Sequence, residues 1–207
     1  NLPNTVILFV QQRRLVKKQI EVFSYQKFIS NKYNKFNFEF ILYVHISIYL
    51  QFNNLIMIFT LKREQFVTAS LDEVWDFASS PLNLKKITPD HMGFSITSSD
   101  LSPKIYPGMI ISYNVSPIFK IKMKWVSEIT HVVEKKYFVD EQRHGPYAMW
   151  HHQHFFEPHK NGVMMKDVIT YKLPLGFIGN FVHWLFVRKK LNSIFDYRFK
   201  EMNKIFN

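Results

Sequence analysis

Phe138-Val-Asp-Glu-Gln-Arg-His-Gly-Pro-Tyr147, running on as Ala148-Met-Trp-His-His-Gln-His-Phe-Phe-Glu157, has the pattern of two strands joined around Gly145-Pro146. Side chains of a strand alternate sides, so Trp150, His152, His154 and Phe156 share one face. A third strand, Val163 to Leu173, follows Asn161-Gly162, a strong hairpin signal. A two-residue loop there pairs Lys160 with Val163, and hence Phe156 with Asp167, His154 with Ile169, His152 with Tyr171 and Trp150 with Leu173. The shared face then carries Trp150, His152, His154, Phe156, Met165, Asp167, Ile169 and Tyr171, while Lys166 and Lys172 fall on the other. The larger aromatics mark the first face as inward. Imidazoles and a carboxylate among those aromatics point to the floor of a small-molecule cavity rather than a plain apolar core. The preceding hairpin has no fixed register, so either Asp140 with Gln142 or Glu141 with Arg143 faces inward.

Outward from this region the chain reads as α+β. Ile58 to Thr68 alternates Phe59, Leu61 and Phe66 with Lys62 and Glu64, as a strand does. Ser70 and Glu73 have capping-box spacing, which starts a short helix whose apolar residues are Val74, Trp75 and Phe77. Pro81 ends it, and Leu82 to Ile87 forms another turn or two before Pro89. Five or six strands follow, starting with Phe94 to Ser98 and Met109 to Val115. Ile118 to Ile129 sets Lys120, Lys122 and Lys124 against Ile121, Met123 and Trp125, the mark of an antiparallel sheet with one wet face. Phe177 to Phe206 is the one long helix, with Phe181, Leu185, Leu191, Phe195 and Met202 on its apolar stripe. Such a helix needs a large surface to cover, and the concave face of a curved sheet supplies it.

Residues 1–56 differ from the rest of the 207-residue chain: they hold no Gly, Ala, Asp, Met or Trp, and the first Met is Met57. Their richness in Asn, Phe, Ile, Tyr and Lys matches AT-rich codons. The expectation is a non-native or disordered extension, upstream DNA read in frame, followed by a ligand-binding domain over 57–207. Phe38 to Leu50 is too short and too interrupted by Glu39 and His45 for a membrane span of roughly 20 residues. The net charge is +11, but 1–56 carries seven Lys/Arg and two Glu, which leaves +6 on the other 151 residues. That balance gives no strong signal for nucleic acid or for firm membrane association. With 47% hydrophobic residues a core is assured, and the absence of Cys excludes disulfides and thiolate chemistry and suits a cytoplasmic setting.

Several residue groups together resemble one family. They are Leu71-Asp-Glu-Val-Trp-Asp-Phe77, Asn83-Leu84 with Ile87-Thr88-Pro89, Gly108-Met-Ile, Trp125 with Ser127-Glu-Ile129, and Phe138-Val-Asp-Glu-Gln142. Gly145-Pro146, Trp150, His152, His154, Phe156, Asp167, Tyr171, Leu173-Pro-Leu-Gly176 and Ile194-Phe195 with Tyr197-Arg198 complete the set. The pattern resembles the START-like helix-grip (SRPBCC) superfamily, in its bacterial ligand-binding, polyketide cyclase/dehydrase-like branch. The resemblance spans Met57 to the C-terminus. It implies a curved antiparallel sheet wrapped around a long C-terminal helix, two short helices after the first strand, and a cavity for an apolar or amphipathic ligand. Fold alone does not fix activity.

The expected cavity residues are Trp125, Trp150, His152, His154, Phe156, Asp167, Ile169, Tyr171, Leu185 and Arg188. His152, His154 and Asp167 are residue types that hold metals, but the sequence gives no fixed surrounding shell for such a site, so no metal and no cofactor are expected. Asp167 with a neighbouring His also suits proton abstraction of the cyclase, dehydratase or isomerase kind. No Ser-His-Asp order, phosphate loop or dinucleotide fingerprint is present, and no catalytic residue is assigned. Binding of a small hydrophobic molecule without chemistry is the expected role, with such an enzyme as the first alternative. A lipid carrier is the second, suggested by the basic, aromatic segment Phe177 to Lys190.

Overall fold

The computed structural model describes residues 57–116 and 121–207, with Val44 and Ser47 as two further isolated positions. The expectation for 1–56 therefore lies outside the described residues, as does Lys120.

Strand β1 (Phe59–Val67) leads into helix α1 (Leu71–Ala78), two short 3-10 segments (Pro81–Ile87 and Asp90–Met92) and strands β2 (Ser95–Ile96) and β3 (Met109–Val115). Strands β4 (Met123–Val133), β5 (Tyr137–His144), β6 (Met149–His159) and β7 (Gly162–Lys172) follow. All seven form one antiparallel sheet in the order β1-β7-β6-β5-β4-β3-β2. The sheet is curved but not closed, and the fold is α+β with a long helix gripped on its inner face, the helix-grip arrangement. Register shifts at Val126/Ser127 and Ile129/His131 mark irregularities in β4, and bulges of this kind bend a sheet.

Local signals account for most boundaries. The capping box forms: the Ser70 backbone N–H donates to Glu73 Oε2 at 2.9 Å, and the Glu73 N–H donates to Ser70 Oγ at 3.3 Å. Val74 and Trp75 are the buried residues of α1. Lys122, just before β4, and Lys124 on it are exposed while Trp125, Ser127 and Ile129 are buried, so one face is wet. On β1 the inner residues are Phe59, Leu61, Arg63, Gln65 and Val67, which puts Phe66 outside, on the side of Lys62 and Glu64. Phe66 breaks the simple reading because strict alternation from Phe59 gives it the outer parity.

The β6–β7 loop is one residue earlier than the turn chemistry predicts. His159 pairs with Gly162, so Phe156 faces Met165, His154 faces Asp167, His152 faces Ile169 and Trp150 faces Tyr171. The slip is even, so the faces are unchanged. The physical reason lies at Gly162. A Cβ there would stand 2.1 Å from the Val67 carbonyl oxygen, so the glycine allows β1 to approach rather than shaping the turn.

Helix α2 (Gly176–Val182), a π-helical turn (His183–Val187) and helix α3 (Arg188–Phe206) run as one rod of 31 residues. Its buried positions are Gly179, His183, Val187, Leu191, Phe195 and Met202. Successive spacings of four outrun an ideal helix, and the wider π turn absorbs the difference. That shift in phase turns Phe181 and Leu185 outward, contrary to the stripe expected from the sequence. Gly179 is needed for close approach, since a Cβ would meet the Pro174 carbonyl oxygen at 2.1 Å.

Candidate functional site

The inner face of the sheet and the helix rod enclose a cavity of about 210 Å³. Its floor comes from β4 to β7 through Trp125, Asp140, Trp150, His152, His154, Phe156 and Asp167, and its roof from Leu191, Phe195, Arg198 and Met202. The two 3-10 segments add Leu84, Ile87 and Met92. Burying the aromatic walls is favourable in itself, at roughly 25 cal/mol per Å² of apolar surface. Trp125, Trp150 and Tyr147 form a contact set, with the two indoles edge to face at 5.4 Å.

Of the expected cavity residues, Trp125, Trp150, His152, His154, Phe156 and Asp167 line this space. Ile169 and Tyr171 lie on the same face but inside packed core, with Tyr171 beneath the helix start. Leu185 and Arg188 do not line it. Leu185 is 39% exposed, and Arg188 borders an outer groove with Trp184, Asn192 and Asp196. Leu185 lies within the π turn, and Arg188 opens α3 on its exposed side. The arginine that does reach the cavity is Arg198, three residues after Phe195 and four before Met202, hence on their side of the helix.

Four side chains form the polar centre of the floor. Asp140 and His152 are register partners across β5 and β6, and His154 and Asp167 are partners across β6 and β7. Asp140 with Gln142 is thus the inward pair on β5, and Gln142 donates to the Tyr147 carbonyl oxygen at 2.7 Å. Glu141 and Arg143 face out, where Arg143 pairs with Glu128 and Glu141 at 2.5 and 3.1 Å. Asp167 Oδ1 lies 3.0 Å from His152 Nε2 and 2.9 Å from His154 Nδ1. Asp140 Oδ2 lies 2.8 Å from His154 Nε2 and 3.4 Å from His152 Nδ1. The imidazoles lie against each other, with centroids 3.7 Å apart, and Phe138 stacks on His154 at 4.1 Å.

Electrostatics follow from this packing. Burial by itself raises the Asp140 carboxyl, but hydrogen bonding and charge from His152 and then His154 outweigh it and hold it well below the usual carboxylate range. Asp167 is held down in the same way against its own burial. Burial works against a charged His154, and the two carboxylates raise its pKa nonetheless. Beside the cluster, burial and then the Asp140 charge push the Tyr113 hydroxyl up. Tyr113 and Ser127 oxygens are 3.2 Å apart, and the Trp125 indole N–H donates to Ser127 Oγ at 3.0 Å.

Asp140, Tyr113 and Arg198 were not among the expected cavity residues. Asp140 could be found only from the β5 parity, which the Gly145-Pro146 loop leaves open. Arg198 follows from helix phase once Phe195 and Met202 are fixed.

No protein-family model matches the sequence, and no curated protein matches it. Solved structures do. Protein Ms6760 from Mycobacterium smegmatis matches with a TM-score of 0.51 at 20% identity, over 68% of this chain and 88% of that one. Protein CV1439 from Chromobacterium violaceum matches with a TM-score of 0.53 at 13% identity, over 71% and 96%. Ara h 8.0201 matches with a TM-score of 0.51 at 14% identity, over 70% and 98%. At these identities the likeness concerns the fold, which is the START-like helix-grip (SRPBCC) fold, also described as Bet v 1-like.

Proposed function

We propose that this START-like helix-grip domain binds a small amphipathic molecule, apolar over most of its length with one acidic or strongly accepting group, in the cavity between sheet and helix. One observation carries the reading. Arg198 lines an otherwise largely apolar cavity, and its buried Nε has no hydrogen-bond partner among the described residues. Buried donors are nearly always satisfied, so an unpaired one on a cavity-lining residue supports a ligand acceptor beside it. Arg198 also acts electrostatically on Tyr113, which sets the polar end of the space near that residue. The volume of about 210 Å³ lies under the roughly 300–1,000 Å³ of drug-sized sites, so the favoured ligand is compact. Binding is preferred to proton abstraction because His152, His154, Asp140 and Asp167 satisfy one another.

Trp125 and Trp150 in the wall supply the assay. Titration with medium-chain fatty acids and the matching alcohols should change their fluorescence, with the acids binding more tightly. Arg198→Met should remove the preference for the acid while leaving alcohol binding in place. Absence of saturable binding by either series would refute the proposal.

A carrier role is the second reading, and a specific feature favours it. Ile178, Phe181, Trp184, Leu185 and Phe186 are exposed on the helix start, next to the exposed Arg188 and Lys189. An apolar patch bordered by cations suits the surface of an anionic bilayer. Sedimentation with phosphatidylserine vesicles should then depend on Trp184 and weaken with salt. Equal binding by Trp184→Ser would remove this reading. Among the described residues no helix is long and apolar enough to cross a membrane.

A further inference from the structure

We propose that Asp140, His152 and His154 bind a divalent transition-metal ion in the cavity floor, with Asp167 as the carboxylate that orients both imidazoles. The site is built by register. β6 supplies the two histidines from one face, and each neighbouring strand supplies one aspartate directly opposite one of them. Each of Asp140, His152 and His154 offers one ligand atom within 4.8 Å of the other two.

The spacing suits coordination. Bonds of about 2.0–2.1 Å from imidazole nitrogen or carboxylate oxygen place neighbouring donors roughly 2.9 Å apart at octahedral angles and about 3.3 Å apart at tetrahedral ones. Asp140 Oδ2 lies 2.8 Å from His154 Nε2 and 3.4 Å from His152 Nδ1. The two histidine ligand atoms lie within 4.8 Å of each other, so all three donors surround one small volume.

Asp167 then has a defined task. It lies 3.0 Å from His152 Nε2 and 2.9 Å from His154 Nδ1, the nitrogens that do not face Asp140. A neutral imidazole carries one N–H. Donated to Asp167, it leaves the lone pair of each ring on the Asp140 side. A metal-bound histidine commonly gives its second N–H to a carboxylate, and here one carboxylate serves two rings. Sequence reading offered Asp167 as the third ligand, and the register gives that place to Asp140.

The surroundings favour a bound ion with an open position. Phe138 stacks on His154, and Phe195 meets His152 edge-on at 5.8 Å, so water has little access from those sides. All four polar residues border the cavity, which leaves room for a further ligand from within it. Two nitrogen donors with one carboxylate suit zinc or divalent iron and cobalt rather than calcium or magnesium, which prefer oxygen. The inference does not depend on an organic ligand, because the metal is read directly.

The test uses the full-length protein freed of metal by chelator dialysis. Zinc is titrated against a chromophoric competitor, and cobalt(II) is followed by its visible bands and by paramagnetic shifts of the imidazole protons. The expected result is one ion per chain, no competition from magnesium, and shifted signals from His152 and His154. Asp140→Asn and His152→Gln should weaken binding at least 100-fold, and Asp167→Asn by roughly 10–100-fold. Far-UV circular dichroism checks that each variant folds, and the cobalt shifts of the wild-type protein need no variant at all. Failure to take up one equivalent, uptake unchanged in Asp140→Asn, or shifts confined to surface histidines such as His91 would each overturn the proposal. Loss in Asp167→Asn with Asp140→Asn unaffected would overturn the assignment of ligands.

Discussion

Lowering the pH from 7 toward 4 should loosen the start of the helix rod through one residue, His183. The ring is only 8% exposed, lies flat on Phe59 at a centroid distance of 3.5 Å, and accepts a hydrogen bond from the Tyr171 hydroxyl at 2.8 Å. Burial, and secondly the charge of Arg188, push its pKa down to about 4. In an unfolded chain a histidine titrates near 6.5. With the folded value depressed, the unfolded state binds the proton first. The contribution is therefore complete above about pH 6.5 and falls away as pH drops toward 4. A gap of about 2.5 pH units corresponds to roughly 3.4 kcal/mol, and about 2–3 kcal/mol remains after allowance for the edge of the ring that still meets water. His154 does not mask the effect. Its shift is upward, so its contribution is full below about pH 6.5 and is lost only as pH rises through the raised value. Asp140 and Asp167 have depressed values, so theirs is lost only below about pH 4. Urea unfolding of wild type and His183→Gln at pH 7 and pH 4.5, followed by tryptophan fluorescence, isolates the term. Wild type should lose about 2 kcal/mol more than the variant over that interval. Parallel losses would refute the argument, as would amide exchange at 176–187 that does not quicken with acid.

Two substitutions probe the packing that positions the cavity. Gly179→Ala places a Cβ against the Pro174 carbonyl and should cost about 1–3 kcal/mol, read from the urea midpoint; a neutral result would mean that the helix start is not held against the β7 exit. Ile169 is fully buried opposite His152, so Ile169→Ala should cost about 2–5 kcal/mol and Ile169→Val about 0.5–1.5, and costs below 0.5 for both would show that the floor beneath the polar cluster is loosely packed.

The architecture was legible where local chemistry and period agree. Ser70 with Glu73 starts α1 as its capping box requires, Met109 to Val115 is a strand with those bounds, and the faces of β6 and β7 follow from alternation alone. What escaped depends on contacts distant in sequence. Gly162 reads as a turn glycine, yet its lack of a Cβ serves the approach of Val67 from a strand almost a hundred residues earlier. The π turn at His183–Val187 has no marker in the sequence, and a phase taken from Leu191, Phe195 and Met202 therefore misplaces Leu185. Asp140 was left open for a related reason. The loop at Gly145-Pro146 does not fix parity, and the irregularity in β4 breaks the alternation that could have supplied it. Three of the four cluster residues were visible as His152, His154 and Asp167, but Asp140, which completes the cluster, was not.

The composition of that cluster bears on why it is there. Two buried carboxylates beside two imidazoles are an expensive way to join three strands, because desolvating ions costs several kcal/mol each before any attraction is gained. Leucine or methionine at the same positions would hold β5, β6 and β7 together at least as well, as Ile169 does beside His152. Apolar side chains would also leave Arg198 without these polar neighbours across the cavity floor. A bound ion in the proposed site would offset that cost. The positions of the four groups, one histidine opposite each aspartate, suit the proposed metal ion, which would be held by the imidazole nitrogens on the side facing Asp140.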